Sequence, residues 1–186
     1  MLDLIIEPKK DTVPLNLLSK PTLVTWLESQ PDRIRVWLER TGFTGEIGSL
    51  SFIPTENGCI ETTVFVIPEF PTLWDYAVLG ENLPKGEYSV ETFINADQAT
   101  DLTLAWALAG YRFDHYRSKS IDDERASLAW PVLARREEVT KIVEAVTLVR
   151  DLINTPANDL GPDGLAKATY ELSQKHGANI TITVGD

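Results

Sequence analysis

The sequence predicts an α/β protein with a mixed sheet and flanking helices. Two patterns interleaved along the chain predict it: runs rich in β-branched and aromatic residues bounded by turn residues, and apolar residues recurring every three or four positions. Size agrees. With 186 residues, 43% apolar and 24% charged, the chain is long enough for one substantial domain with a buried core, or one domain and the start of another.

The elements follow in order. "LDLIIE" predicts an opening strand, and "PDRIRVWLERTG" sets Ile34, Trp37 and Leu38 on one helical face with Gly42 as the stop. "SLSFIPTENGCIETTVFVIPE" holds two β-rich runs around "TENG", where Asn57 and Gly58 are expected to take the positive φ of a hairpin turn. "PTLWDYAVLG" predicts a short helix ending at Gly80, and "KGEYSVETFI" a further strand. "ADQATDLTLAWALAGYRF" predicts a largely buried helix through Leu102, Ala105, Trp106 and Ala109, ending near Gly110. Asp114 to Arg125 reads as an exposed polar connection, after which "SLAWPV" restores a strand whose Pro131 favours an edge or a strand end.

The strongest helix signal is "REEVTKIVEAVTLVRDLI", with Val139, Ile142, Val143, Val146, Val149 and Ile153 in a continuous stripe. Glu137 and Glu138 in its first turn and Arg150 near its last suit the helix macrodipole, and Asn154-Thr155-Pro156 ends it because the residue before proline is pushed out of the helical region. Gly161-Pro162-Asp163 begins another helix, "GLAKATYELSQKHG", and "NITITV" alternates like a strand. These joints predict an N-terminal α/β domain over 1–133, a connecting helix over 134–153 and a separate piece over 154–186.

Composition excludes several functions. There is no run of about 18 apolar residues and no basic-then-apolar leader at "MLDLIIEPKK", so the cytoplasm is the expected compartment. The formal charge of −11 repels a phosphate backbone and argues against nucleic acid. Cys59 stands alone and reads as a bystander in a turn.

No catalytic or metal-binding constellation emerges. His115, in "FDHYRSK", and His176, in a last helical turn, read as surface or capping residues, although a hydrolase built on His115 is one alternative. Asp122 to Glu124 reads as a solvated charge run, and the glycines match neither the dinucleotide fingerprint nor the P-loop. The five tryptophans, spread one per element, are expected to pack in the core.

"RDLINTPANDLGPDGLAKATYELSQKHGANITITVGD" (Arg150 to Asp186) and "AWALAGYRFDHYRSK" (Ala105 to Lys119) closely resemble the leucyl aminopeptidase family, the M17 metallopeptidases or cytosol aminopeptidases. Earlier residues resemble it only in the order of elements. The resemblance implies a macro-domain-like N-terminal α/β domain, a linking helix, and the first helix and strand of a truncated peptidase domain.

For the full-length parent it implies a two-metal exopeptidase, holding zinc or manganese, that removes residues such as leucine from peptide N-termini and assembles as a hexamer. The family's ligands lie in Gly-Lys-Gly, Asp-Thr-Gly-Gly and Asn-Thr-Asp-Ala-Glu-Gly-Arg motifs, and none of these stands in this sequence. No catalytic or metal residue is therefore carried onto it, and the chain alone is expected to be inactive, with the catalytic domain as its missing partner. Asn154, Pro156, Asn158 and Pro162 are expected to form a structural junction between domains. Residues beyond about 154 would expose apolar faces and either pack back, mediate dimer contacts or be poorly ordered. A stand-alone macro-like module binding a nucleotide such as ADP-ribose is the other alternative.

Overall fold

A computed structural model describes residues 1–116 and 125–185, which divide into two compact units, Met1–Glu144 and Ala145–Asp186. The expected charge run at 122–124 lies outside the described residues. The first unit is built on a six-stranded sheet: β1 (Ile5–Ile6), β2 (Val13–Leu18), β3 (Leu50–Pro54), β4 (Ile60–Val66), β5 (Glu87–Val90) and β6 (Ser127–Ala129). Their order across the sheet is β1-β6-β5-β2-β4-β3. Every neighbouring pair is parallel except β3 and β4.

Helices cover both faces. On one, α3 (Leu73–Asn82), α4 (Ala96–Ala109) and the start of α5 (Arg136–Asn154) share a core with Leu15, Leu17, Phe65, Tyr88 and Leu128; on the other, α1 (Lys20–Ser29) and α2 (Asp32–Arg40) bring Leu23, Ile34 and Leu38 onto Leu18, Ile53, Val64 and Val66. Double coverage explains the composition of β4. Val64, Phe65 and Val66 are successive residues on alternating faces, and all are buried, as a parallel strand roofed on both sides requires. Asn16, the polar exception in β2, is buried with its Nδ2 donating to Thr62 Oγ1 at 2.8 Å and to the Thr63 carbonyl at 3.3 Å.

Local chemistry sets the element ends. Thr72 and Asp75 form a capping box at α3, and Asn95 and Gln98 form another at α4. The hairpin is present, but among its turn residues only Gly58 takes positive φ, at 82°; Asn57 does not. The five-residue connection is closed by Thr55 N donating to the Cys59 carbonyl, a geometry that needs one left-handed residue rather than the two of a two-residue turn.

Gly80 does not end its helix either. It lies within α3, where an added Cβ would come 3.2 Å from Ala109 Cβ, so the missing side chain lets α3 approach α4 closely. The opening strand is shorter than expected: Leu2–Leu4 form a 3-10 turn and only Ile5–Ile6 pair, with β6. β2 and α1 occupy a stretch that periodicity leaves unassigned, and the available signal for α1 was Pro21 in its first turn.

The second unit holds the last part of α5 and α6 (Pro162–His176), whose C-cap Gly177 is left-handed at φ 64°. Asn179 to Val184, expected as a strand, takes no place in a ladder. Alternation supplies the two faces of a strand, but the strand itself requires a hydrogen-bonding neighbour, and no strand is described beside this segment.

Candidate functional site

In open α/β sheets ligands sit beyond the carboxyl ends of the strands, where connections from adjacent strands diverge. Here the connection from β2 leads toward β3 and that from β5 toward β6, so the divergence falls between β2 and β5. The chain itself closes that point. Thr92 Oγ1 accepts the Leu17 amide at 3.1 Å, and the Glu91 amide donates to the Leu15 carbonyl at 3.0 Å.

The surrounding connections carry prolines at 21, 68 and 71, which offer no amide hydrogen, and carboxylates at Glu69 and Glu91. They also carry exposed rings: Phe70 and Phe93 are 85% and 88% exposed, and Trp74, in the first turn of α3, is 78% exposed. The expectation that the tryptophans pack in the core therefore holds for Trp106, which is fully buried, and fails for Trp37 and Trp74, which are exposed. Trp74 precedes the part of α3 that turns Tyr76 and Leu79 into the core.

Titratable groups do not converge on a cavity. Burial pushes the Tyr76 hydroxyl up, with the charges of Asp101 and Asp75 adding to it, and that hydroxyl has no hydrogen-bond partner among the described residues. Desolvation, with Asp97 and Glu138 nearby, raises the Asp101 carboxyl, and Arg135 opposes the rise. Arg135 pairs with Asp97 at 2.7 Å and with Glu138 at 2.5 Å. His115 stacks edge-on against Tyr116 at 4.9 Å, and His176 ends α6. Among the described residues no group of three or more His, Cys, Asp or Glu is placed to hold a metal ion. These residues do not fit a metal centre.

The junction residues are local terminators. Asn154 is the last residue of α5; the Pro156 carbonyl accepts from the Asp159 amide at 2.9 Å and the Leu160 amide at 3.0 Å, turning the chain. Asn158 lies exposed in that turn, and Pro162 opens α6 behind the N-cap Gly161. They occupy one short segment without enclosing a cavity. Within the second unit, Leu172, Ser173, His176 and Ile180 line a hollow of about 490 Å³ with mainly apolar walls.

A three-layer α/β domain whose carboxyl edge is bridged between β2 and β5 by its own chain is the class of protein that this geometry defines. Residues 13–131 match the family described as M17 aminopeptidase, N-terminal domain, and the chain belongs to that family. A probable cytosol aminopeptidase of Brucella anthropi is 28% identical over 177 residues, covering 81% of this chain and 35% of that protein. One from a Bradyrhizobium strain is 36% identical over 95 residues, covering 46% of this chain and 19% of the relative. The crystal structure of a cytosol aminopeptidase from Coxiella burnetii superposes with a TM-score of 0.82 at 29% identity, over 96% of this chain and 39% of that one.

The bottromycin maturation enzyme BotP shares the fold, with a TM-score of 0.62 at 20% identity over 90% of this chain and 38% of BotP. The matches thus cover between 19% and 39% of the length of these relatives. Among the described residues no helix is long and apolar enough to cross a membrane.

Proposed function

We propose that this chain is the non-catalytic N-terminal domain of a metalloaminopeptidase, and that catalysis belongs to a domain it serves as scaffold. The family match over residues 13–131, joined to coverage of little more than a third of the relatives, carries the reading. In the parent, two divalent metal ions, zinc or manganese, would activate water for attack on the first peptide bond, releasing residues such as leucine. The metal ligands belong to the parent's other domain, the assembly is a hexamer, and the compartment is the cytoplasm.

In this reading 1–133 is the N-terminal domain, 134–153 the connecting helix and 154–186 the start of the peptidase domain. Asn154, Pro156, Asn158 and Pro162 form the turn that joins the domains. The competing reading, a nucleotide or ADP-ribose module, is disfavoured by the prolines and carboxylates in the connections at the carboxyl edge and by the formal charge of −11.

Two measurements test the proposal. Incubated with leucine p-nitroanilide and excess Mn²⁺, the chain should show no turnover above background, and turnover would overturn the assignment of catalysis to another domain. The source gene should continue past Asp186 into Gly-Lys-Gly and Asn-Thr-Asp-Ala-Glu-Gly-Arg, and a stop codon there would overturn the parent reading.

A further inference from the structure

β3 lies at one end of the strand order, with β4 on one side and no strand on the other among the described residues. Two hydrogen bonds reveal which of its backbone groups face outward. The Val66 amide donates to the carbonyl of Ser49, the residue before β3, at 3.0 Å, so that carbonyl faces β4; Trp37 Nε1 donates to the Phe52 carbonyl at 2.9 Å, so Phe52 faces away from it. Alternate strand residues share a side, and a residue's amide and carbonyl point the same way. Leu50 therefore faces outward with Phe52.

A groove of about 440 Å³ lies against this strand, walled by Ser49 to Phe52 on one side and by Trp37 and Thr41 to Thr44 on the other. Its lining includes four consecutive residues whose side chains alternate between the two faces of the sheet. A hollow touching all four follows the edge of the strand.

We propose that this groove binds an extended peptide of net positive charge, which pairs with β3 as an added strand. The incoming backbone would meet the amide and carbonyl of Leu50 and the amide of Phe52. The Trp37 indole, already on the Phe52 carbonyl, marks where the added strand ends. An extended backbone is the occupant because the groove presents a strand's unpaired edge. A second copy of this chain is disfavoured because each copy carries −11 and two such copies repel. The same charge attracts a cationic peptide. The proposal is independent of the aminopeptidase reading and survives its failure.

The test uses the whole chain and fluorescein-labelled Lys-Val-Thr-Val-Thr-Lys, followed by anisotropy and by amide chemical shifts. Binding should move the amides of Ser49 to Phe52 and Thr41 to Thr44, and should weaken as salt rises. N-methylating the peptide amides that face β3 should cut affinity about tenfold or more, whereas methylating the alternate amides should change it by less than about twofold. Leu50→Pro, whose lost amide faces outward, should keep native circular dichroism and weaken the probe. No binding, equal losses from both methylated sets, or shifts confined to other residues would overturn the proposal. So would a dimer in sedimentation whose formation moves the β3 amides without peptide, since that makes a second copy the occupant.

Discussion

Helices α4 and α6 are of similar length, 14 and 15 residues, and both carry apolar residues at helical spacing, yet they are covered very differently. α4 buries eight residues, Trp106 among them, whereas α6 buries only Ser173. Leu165 and Leu172 on α6 remain 51% and 41% exposed, and Ile153 near the end of α5 is 76% exposed. Periodicity reports that a helix owns an apolar face; whether that face is covered depends on what the rest of the fold lays against it. The first unit has a complete set of layers, and the second keeps an open apolar surface.

The largest effect should come from emptying the covered side of this contrast. Trp106→Ala removes a fully buried ring beside Tyr88 and orphans the Ala126 carbonyl that Nε1 contacts at 3.1 Å. It should cost about 3–5 kcal/mol in urea denaturation. A loss below 1 kcal/mol would mean that α4 is not the keystone of the core.

Overfilling the same interface should cost less. Gly80→Leu forces a side chain into the close approach of α3 and α4 and should destabilise by about 1–3 kcal/mol, read from the same transition.

A smaller change of opposite sign is expected at the acidic side of α4. Asp101 has its carboxyl raised by desolvation and by Asp97, so the folded state favours its protonated form. As pH climbs from the ordinary carboxylate value through the raised one, the folded state holds more protons than the unfolded state and stability falls. Asp101→Asn should therefore raise Tm slightly at pH 7, with the gain vanishing in acid below the ordinary carboxylate range. A gain that grows as pH falls would reverse this sign.

The smallest effect belongs to the open side. Leu172→Ser, on the exposed face of α6, should stay within about 0.5 kcal/mol of wild type. A loss as large as that of Gly80→Leu would show that α6 is covered in solution and break the comparison.

Much of the fold was legible because local rules and tertiary packing agree. The hairpin, α2 with Ile34 and Leu38, α4 through Trp106, and the long α5 all stand where their patterns put them. β2 and α1 were not legible, because "VPLNLL" is roofed on both faces and lacks the alternation that marks a half-exposed strand. Gly80 was misjudged because a helix stop and a close helix contact call for the same residue, and sequence spacing does not separate them.

The end of α5 at Asn154 and the start of α6 at Pro162 were legible from their proline chemistry. The exposed Phe70, Trp74 and Phe93 carried no signal, since an aromatic residue in a sequence reads as core until its surroundings are known.

The sequence by itself determined the alternation of helices and strands, the capping residues, the acidic charge and the resemblance to an aminopeptidase family. Those properties depend on residues near one another in the chain or on composition alone. Tertiary structure alone decided the strand order, the closure of the carboxyl edge by Thr92, the free edge of β3 and the fate of the final apolar stripe. Each depends on which distant segment meets which, and hydrogen bonding and burial set that once the chain is folded.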